Sequence, residues 1–416
     1  ILLCLLPFAV FSSAVTLAAC SFARTFKEAQ NYVMPVLIAC MVPAAVGLMQ
    51  TMELEGAVMV APIANLTLLT RDLFQGTWTW TSAVVVWLST ALYAAAAVTV
   101  ATRLFSQEAV IFADSAPLRT LLTRRWLPPK NLPTPSQVLL PVAILFPLLF
   151  YLQTALHQRS GGDLVRFIHN WGIVQVLLFV GVPGLVIWYL KLDLRRTLSL
   201  GPPRLLVWPA VILIGATSWI VATEIGVFQL KYLGRGLQLT DMEAAMRSLF
   251  SGLGLWQALL FVAVLTGVCE EVLFRGFLLA GVRRAAGKWG AIAVVGIVFG
   301  VFHLYGFKLL VTCLLGMLLA WLCWQTRSIW PAILVHIMHN AAAVCLVSLP
   351  QLTETLRFDA AGSSDHLPAH IIIPGFVLFA LALLCIAAIR PESQQVSVRR
   401  AAPGAPRPLD LSKPPA

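Results

Sequence analysis

Residues 255–281 read LWQALLFVAVLTGVCEEVLFRGFLLAG. The stretch is apolar except near its centre, and its charged residues are Glu270, Glu271 and Arg275. An α-helix rises about 1.5 Å per residue, so a segment of this length can cross a hydrocarbon core about 30 Å thick. We therefore expect a membrane-spanning helix that carries ionisable side chains inside the bilayer, where such side chains are rare and need a partner or a function.

The rest of the chain is also apolar. Of its 416 residues, 59% are hydrophobic and 11% are charged, and the mean hydropathy is +0.86. An average soluble domain is about 25% charged, so this composition excludes a soluble protein. The apolar residues fall into blocks of about twenty, without the alternation typical of a β-barrel. The predicted fold class is all-α, a polytopic transmembrane helical bundle of about 11 spans: 1–20, 33–50, 77–102, 138–156, 171–190, 205–228, 255–281, 290–305, 308–326, 329–349 and 371–389.

The net charge of +11 comes from basic residues in loops at the ends of the predicted spans. This placement indicates a membrane protein and no nucleic-acid partner, because the basic residues do not line one helix face. Most of them follow odd-numbered spans, as Arg195 and Arg283 do. By the positive-inside rule we expect those loops and the C-terminus to be cytoplasmic, in an integral multi-pass protein of a bacterial plasma membrane.

A segment rich in proline and basic residues separates three predicted spans from the eight that follow. We expect a Pro-rich basic cytoplasmic linker at 113–137 and a disordered cytoplasmic tail at 391–416. The chain begins with Ile1 inside an apolar run, so we expect a first domain, 1–112, that is N-terminally incomplete. The second predicted domain is 138–390.

Two stretches of the first domain resemble a family of transport proteins. Residues 21–32, SFARTFKEAQNY, are similar to the cytoplasmic segment of ABC-type permeases related to sodium exporters, and residues 64–73, ANLTLLTRDL, to their re-entrant region. The resemblance implies the C-terminal part of a permease over 1–112 and a separate ABC ATPase subunit as partner. This sequence contains no phosphate-binding loop of its own. An amphipathic interfacial helix is the alternative interpretation of 21–32.

The two carboxylates of the opening stretch differ in their expected surroundings. Glu271 and Arg275 are four residues apart on one helix face, which favours an ion pair. Glu270 points about 100° away from Glu271. One carboxylate is therefore expected to be neutralised, and the other remains available for chemistry.

Two later spans also carry polar side chains at helical spacing. Residues 299–303 read FGVFH and residues 336–340 read HIMHN. Because residues four apart share a helix face, Phe299 accompanies His303, and His336 accompanies Asn340. Counted from the cytoplasmic ends of their spans, these side chains and Glu270 lie roughly 10–20 Å deep at the usual helical rise. We expect them to meet at one level within the bilayer.

The ordered motifs Glu-Glu-x-x-x-Arg, Phe-x-x-x-His and His-x-x-x-Asn, on separate helices, resemble the signature of the CAAX protease and bacteriocin-processing (CPBP, or Abi) family. The resemblance covers about residues 138–390 and implies an intramembrane peptidase of CAAX type. It implies two pairs of catalytic residues, Glu270 and His303 to activate water and His336 and Asn340 to stabilise the oxyanion. Around them it implies three supporting residues, Glu271, Arg275 and Phe299.

A metal-dependent form of this chemistry stays open. Glutamate and two histidines can bind zinc and leave a fourth position for water, so a divalent metal such as zinc would be held by Glu270, His303 and His336. The sequence contains no His-Glu-x-x-His motif. We favour activation of water by the protein itself.

Two functions compete at this stage. The first is an intramembrane endopeptidase that hydrolyses a peptide bond in a membrane-proximal peptide or lipidated substrate. The alternative is a non-catalytic ABC transporter permease subunit, serving export or immunity, whose C-terminal domain binds or protects without cleaving. Hydrogen bonds between helices could also explain isolated polar side chains in spans. The three ordered motifs favour the endopeptidase.

Overall fold

A computed structural model describes residues 2–21, 23, 25–46, 49, 52–105, 124, 129–233, 252–303, 309–356 and 366–389. Within these ranges the chain is helical and contains no β-strand, which confirms the predicted all-α bundle. The long helices are α1 (Leu2–Cys20), α2 (Phe26–Val46), α3 (Ala64–Gln75), α4 (Trp80–Phe105), α5 (Pro135–Ser160), α6 (Leu164–Tyr189), α7 (Trp208–Leu233), α8 (Leu255–Val282), α9 (Gly287–Phe302), α10 (Leu309–Thr326), α11 (Trp330–Ser348) and α12 (Ala369–Ala388). Short helices lie at Gly56–Val60, Leu194–Thr197, Leu205–Val207 and Pro350–Thr355.

Among the described residues, 8 helical segments are long and apolar enough to cross a membrane, and they fall in α4 to α8 and α10 to α12. The apolar part of α1, Leu5–Cys20, and the whole of α9 are shorter. The predicted span 33–50 overlaps α2, which lies outside these 8 segments, begins with polar residues and contains Pro35 and Pro43. The polytopic architecture is therefore present, and the count of eleven spans stays a prediction.

Helix α8 departs from regular α-helical geometry on both sides of its carboxylates. π-Helical turns at Leu259–Leu265 and Val272–Leu278 flank the α-helical segment Thr266–Glu271. Helix α6 contains a third π-helical turn, Val176–Gly181. π-Helical turns within α-helices are rare and occur often at functional sites. The uniform helix assumed from the sequence is thus wrong for α8 outside the segment that holds Glu270 and Glu271.

Glycines let the helices around these carboxylates approach one another closely. A Cβ atom on Gly267 of α8 would lie 3.0 Å from Ile337 Cγ1 of α11. A Cβ atom on Gly296 of α9 would lie 2.8 Å from the backbone nitrogen of Met317 in α10. Small residues at such crossings allow backbone-to-backbone packing in membrane proteins. Helices α8 to α11 are thereby gathered around one interior region.

The predicted first domain packs directly against the second. One buried apolar cluster includes Tyr93 of α4, Phe146 of α5 and Phe302 of α9. The ring centroids of Tyr93 and Phe146 are 6.4 Å apart, and those of Phe146 and Phe302 are 5.0 Å apart. The domain boundaries stay predictions, since linker residues 113–123 and 125–128 and the whole of the predicted tail, 391–416, lie outside the described residues.

The permease-like stretch 64–73 forms most of α3. Asn65 Nδ2 donates hydrogen bonds to the carbonyl of Met59 and to Ser89 Oγ, both at 3.1 Å. Arg71 Nη1 donates to the carbonyls of Met49 and Met52, at 3.0 and 2.8 Å. These contacts attach α3 to its neighbours, so the polar residues of this stretch have structural roles.

Candidate active site

The predicted site residues come from three helices. Glu270 and Glu271 lie in the α-helical segment of α8 between its two π-helical turns. His303 follows the last residue of α9, and its backbone N–H bonds the carbonyl of Gly300 at 3.1 Å. His336 and Asn340 lie one turn apart on α11. The close crossings of α8, α9 and α11 set the distances between these side chains.

Two histidines converge on one carboxylate oxygen. His303 Nε2 and His336 Nε2 each lie 3.8 Å from Glu270 Oε2. That oxygen is buried and has no hydrogen-bond partner among the described residues. Glu270 is 7% exposed and His336 is 2% exposed, whereas the side chain of His303 is 29% exposed. The three residues therefore form a buried group, and His303 lies on its more accessible side.

The second nitrogen of each imidazole identifies the tautomer. His303 Nδ1 lies 2.8 Å from the carbonyl oxygen of Phe299, which can only accept, so Nδ1 donates. His336 Nδ1 lies 2.8 Å from Glu271 Oε1. Because Glu271 is paired with Arg275, its oxygen is an acceptor, and His336 Nδ1 also donates. In the neutral form of each ring, Nε2 is then an acceptor.

Three acceptors therefore face one another around Glu270 Oε2 when this carboxylate is ionised. Their 3.8 Å separations exceed the usual hydrogen-bond length of about 3.2 Å. A proton donor or a cation among the three atoms would stabilise such an arrangement. A water molecule can act as the proton donor, since its two O–H groups can donate to two of the three atoms while its oxygen stays available as a nucleophile.

The predicted ion pair is present. Arg275 Nη1 lies 2.7 Å from Glu271 Oε1, and both side chains are fully buried. Arg275 Nη2 also donates to the carbonyl of Gly316 in α10 at 3.1 Å. A single Glu271 oxygen thus accepts from Arg275 and from His336, which fixes the positions of α8, α10 and α11 relative to one another. The sequence predicted the pair but did not predict the histidine or the Gly316 carbonyl as its partners.

Phe299 packs against three of these side chains. Its ring centroid lies 4.2 Å from Arg275 Cζ, in a cation–π geometry. It also lies 4.6 Å from the ring of His303 and 5.8 Å from that of His336. Phe299 is 1% exposed and therefore restricts the rotamers of both histidines.

Asn340 is held differently from the other predicted site residues. Its Nδ2 donates a 3.1 Å hydrogen bond to the carbonyl of Val262, in the first π-helical turn of α8. That bond uses one of the two N–H donors of the amide. A link that the sequence did not reveal lies nearby on α8, where Thr266 Oγ1 donates to Gln175 Oε1 at 3.1 Å. Thr266 precedes Glu270 by four residues and therefore lies on the same helix face. This spacing could have indicated from the sequence that Thr266 belongs near the site.

The residue types of the group, one glutamate and two histidines, also occur in zinc sites. Among the described residues, no group of three or more His, Cys, Asp or Glu side chains is placed to hold a metal ion. We therefore derive no chemical step through a metal at Glu270, His303 and His336.

One of the comparisons with known proteins finds a match in this part of the chain. No curated protein and no solved structure matches the chain. Residues 252–342 match a family model described as Rce1-like, type II CAAX prenyl endopeptidase Rce1-like. This part of the chain runs from the start of α8 into α11 and contains every predicted site residue, whereas residues 1–112 lie outside the match. Over residues 252–342 the chain is thus similar to CAAX-type intramembrane endopeptidases, which supports the resemblance to the CPBP family.

Proposed function

We propose that this protein is an intramembrane endopeptidase in which Glu270 and His303 activate water for attack on a peptide bond of a membrane-proximal or lipidated substrate. The observation that supports this proposal most directly is that His303 Nε2 and His336 Nε2 both lie 3.8 Å from Glu270 Oε2. Water held among these acceptors gives a proton to Glu270, and the resulting hydroxide adds to the substrate carbonyl carbon. Glu270 then returns the proton to the leaving amine as the C–N bond breaks.

His336 and Asn340 are the proposed donors to the oxyanion. The Nδ1 proton of His336 is engaged by Glu271, so donation from Nε2 requires a proton on that atom as well. The proton that Glu270 takes from water can move to His336 Nε2, 3.8 Å from Glu270 Oε2, while the oxyanion persists, and it returns through Glu270 to the leaving amine as the C–N bond breaks. Asn340 retains a second amide N–H beside the one bonded to Val262. Donors placed in a site of low dielectric stabilise an oxyanion strongly.

Cleavage of a peptide library by the full chain in liposomes tests the proposal. Glu270→Gln keeps the shape of the side chain and removes its basicity, so turnover should fall by about 10²–10⁴-fold, the usual contribution of acid–base catalysis. Glu224→Gln is the matched control, since Glu224 bonds His366 Nδ1 and the backbone N–H of Leu367, apart from the Glu270 group. Equal turnover by the wild type and Glu270→Gln would refute this mechanism.

We retain the permease-like nature of residues 1–112, with a separate ABC ATPase as partner, as a proposal that rests on the two sequence stretches alone. A photo-crosslinking residue at position 28, within the cytoplasmic segment of α2, tests it in cells. Crosslinks to a protein with an ATP-binding phosphate loop are expected. Crosslinks to lipids and unrelated proteins only would contradict the transporter assignment and would leave the endopeptidase assay unaffected.

A further inference from the structure

A basic cavity of about 450 Å³ lies at the ends of α8 and α10, apart from the Glu270 group. Its described lining contains four arginines and no carboxylate: Arg195, Arg196, Arg283 and Arg327. The first two lie in the short helix Leu194–Thr197, and the other two directly follow α8 and α10. All four follow odd-numbered predicted spans, which places the cavity at the cytoplasmic surface under the positive-inside rule.

Arg196 and Arg283 have described contacts that compensate their charge only in part, and one of these is a cation–π contact in which Arg283 Cζ lies 4.9 Å from the ring centroid of Trp324. Arg196 has an exposed ion pair with Asp193 at 3.6 Å, and exposed pairs of this kind are weak. Arg283 Nε is buried and has no hydrogen-bond partner among the described residues. Burial lowers the pKa of Arg283, and the nearby charge of Arg327 lowers it further, while Cys323 acts in the opposite direction. An anion in the cavity would stabilise this guanidinium.

Apolar and aromatic neighbours place the cavity at the boundary between lipid headgroups and acyl chains. Trp330 Nε1 donates to the carbonyl of Leu200, a lining residue, at 3.2 Å. Tryptophans of this kind are enriched at the membrane interface. Leu205 and Leu206, a few residues after the lining residue Pro202, are 83% and 85% exposed. Such exposure of leucine is expected where acyl chains surround the protein.

We propose that this cavity binds the phosphate of an anionic phospholipid from the cytoplasmic leaflet. Guanidinium groups present planar, paired donors that match phosphate oxygens. Basic pockets between helices on the cytoplasmic side are suited to anionic headgroups. Inorganic phosphate in solution presents the same charged oxygens as a phospholipid headgroup. The two ligands therefore differ only in whether acyl chains contribute to binding.

The cavity lies apart from the Glu270 group along the length of α8. Arg283 directly follows α8 and comes 13 residues after Glu270, which corresponds to roughly 20 Å at the usual rise. A separation of this size keeps the arginines out of contact with Glu270, so the lipid site is separate from the proposed reaction.

The test titrates the full chain in neutral detergent with phosphatidylglycerol, phosphatidylcholine or inorganic phosphate, and counts bound lipid by native mass spectrometry. One variant is Arg195→Gln/Arg327→Gln, which changes two exposed side chains and should fold. A second variant is Arg283→Gln. The matched control is Arg284→Gln, an exposed neighbour outside the lining.

Wild type and Arg284→Gln should bind phosphatidylglycerol in preference to phosphatidylcholine, and affinity should fall roughly fivefold for each lining arginine removed. Displacement of the lipid by inorganic phosphate at equal concentration would assign the cavity to soluble phosphate and overturn the proposal. An equal loss in Arg284→Gln and in the lining variants would indicate general surface attraction, and would also overturn it. If Arg283→Gln fails to fold, the Arg195→Gln/Arg327→Gln variant still tests the proposal.

Discussion

Glu271 Oε1 and His336 Nδ1 are joined by a 2.8 Å hydrogen bond, although the two residues lie 65 positions apart in the chain. The same oxygen accepts from Arg275 Nη1 at 2.7 Å. The bond from His336 directs its other nitrogen, Nε2, toward Glu270. Glu271 therefore positions the imidazole of His336. The charge of Glu271 is compensated by Arg275, which makes Glu271 a poorer base than Glu270.

Glu271→Gln should destabilise the protein, because it leaves the buried Arg275 without a counter-charge. Removing one partner of a buried pair costs about 3–5 kcal/mol of unfolding free energy. Arg275→Met combined with Glu271→Gln should recover most of this loss, since apolar replacement of a whole buried pair is often neutral. Reversible denaturation in detergent measures both variants, with Glu224→Gln as the control. A double variant no more stable than the single would contradict the pairing argument.

Asn340→Ala distinguishes an oxyanion donor from a structural tie between helices. Loss of an oxyanion donor should lower kcat by about 10²–10³-fold with KM little changed. Loss of the bond to Val262 alone should lower the unfolding free energy by about 1–3 kcal/mol and leave kcat intact. We expect the fall in kcat, measured in the peptide cleavage assay. His339→Ala is the matched control, because His339 bonds Ser218 of α7 at 3.1 Å.

Phe299→Leu should reduce turnover while the fold is kept. The substitution removes the aromatic face over Arg275 and the ring contacts to both histidines. A desolvated cation–π contact contributes about 2 kcal/mol, so a loss of that size in unfolding free energy should accompany the lower kcat. Phe146→Leu alters the same buried cluster away from the histidines and should lower stability without a matching fall in kcat. Equal kcat in the two variants would argue against a positioning role for Phe299.

Metal removal should leave peptide cleavage intact if the protein itself activates water. The chain is stripped with chelator, its metal content is measured, and turnover is compared before and after. We expect turnover to change by less than about twofold, because no group of three or more His, Cys, Asp or Glu side chains among the described residues is placed to hold a metal ion. Loss of turnover that zinc restores would assign the metal-dependent mechanism to Glu270, His303 and His336.

The sequence predicted the fold class and the Glu271–Arg275 pair because both depend on local properties. Blocks of apolar residues require helices in lipid, and two residues four apart lie on one helix face. The bond between Glu271 and His336 depends on how α8 crosses α11, and no local pattern encodes that distance. The contact between Tyr93 and Phe146 was missed for the same reason, since it joins two parts of the chain that the predicted linker separates in sequence.

The ends of helices were predicted less well than their presence. The span predicted at 33–50 rested on its apolar residues, but α2 begins earlier, at Phe26, and includes charged residues and two prolines. Helix α9 has 16 residues and ends at Phe302, so His303 lies just beyond a helix and not within one. The sequence shows the hydrophobic content of such segments, whereas their ends depend on contacts with neighbouring helices.

The π-helical turns of α8 make the length of this helix a determinant of the site. Each such turn holds one residue more than the α-helical turn it replaces. Deleting one residue from Leu259–Leu265 or from Val272–Leu278 would restore regular winding there and leave the flanking residues facing as before. Deleting one residue from the regular segment Thr266–Glu271 would instead rotate one end of the helix by about 100° relative to the other. Within Thr266–Glu271, α8 should therefore tolerate substitutions far more readily than insertions or deletions.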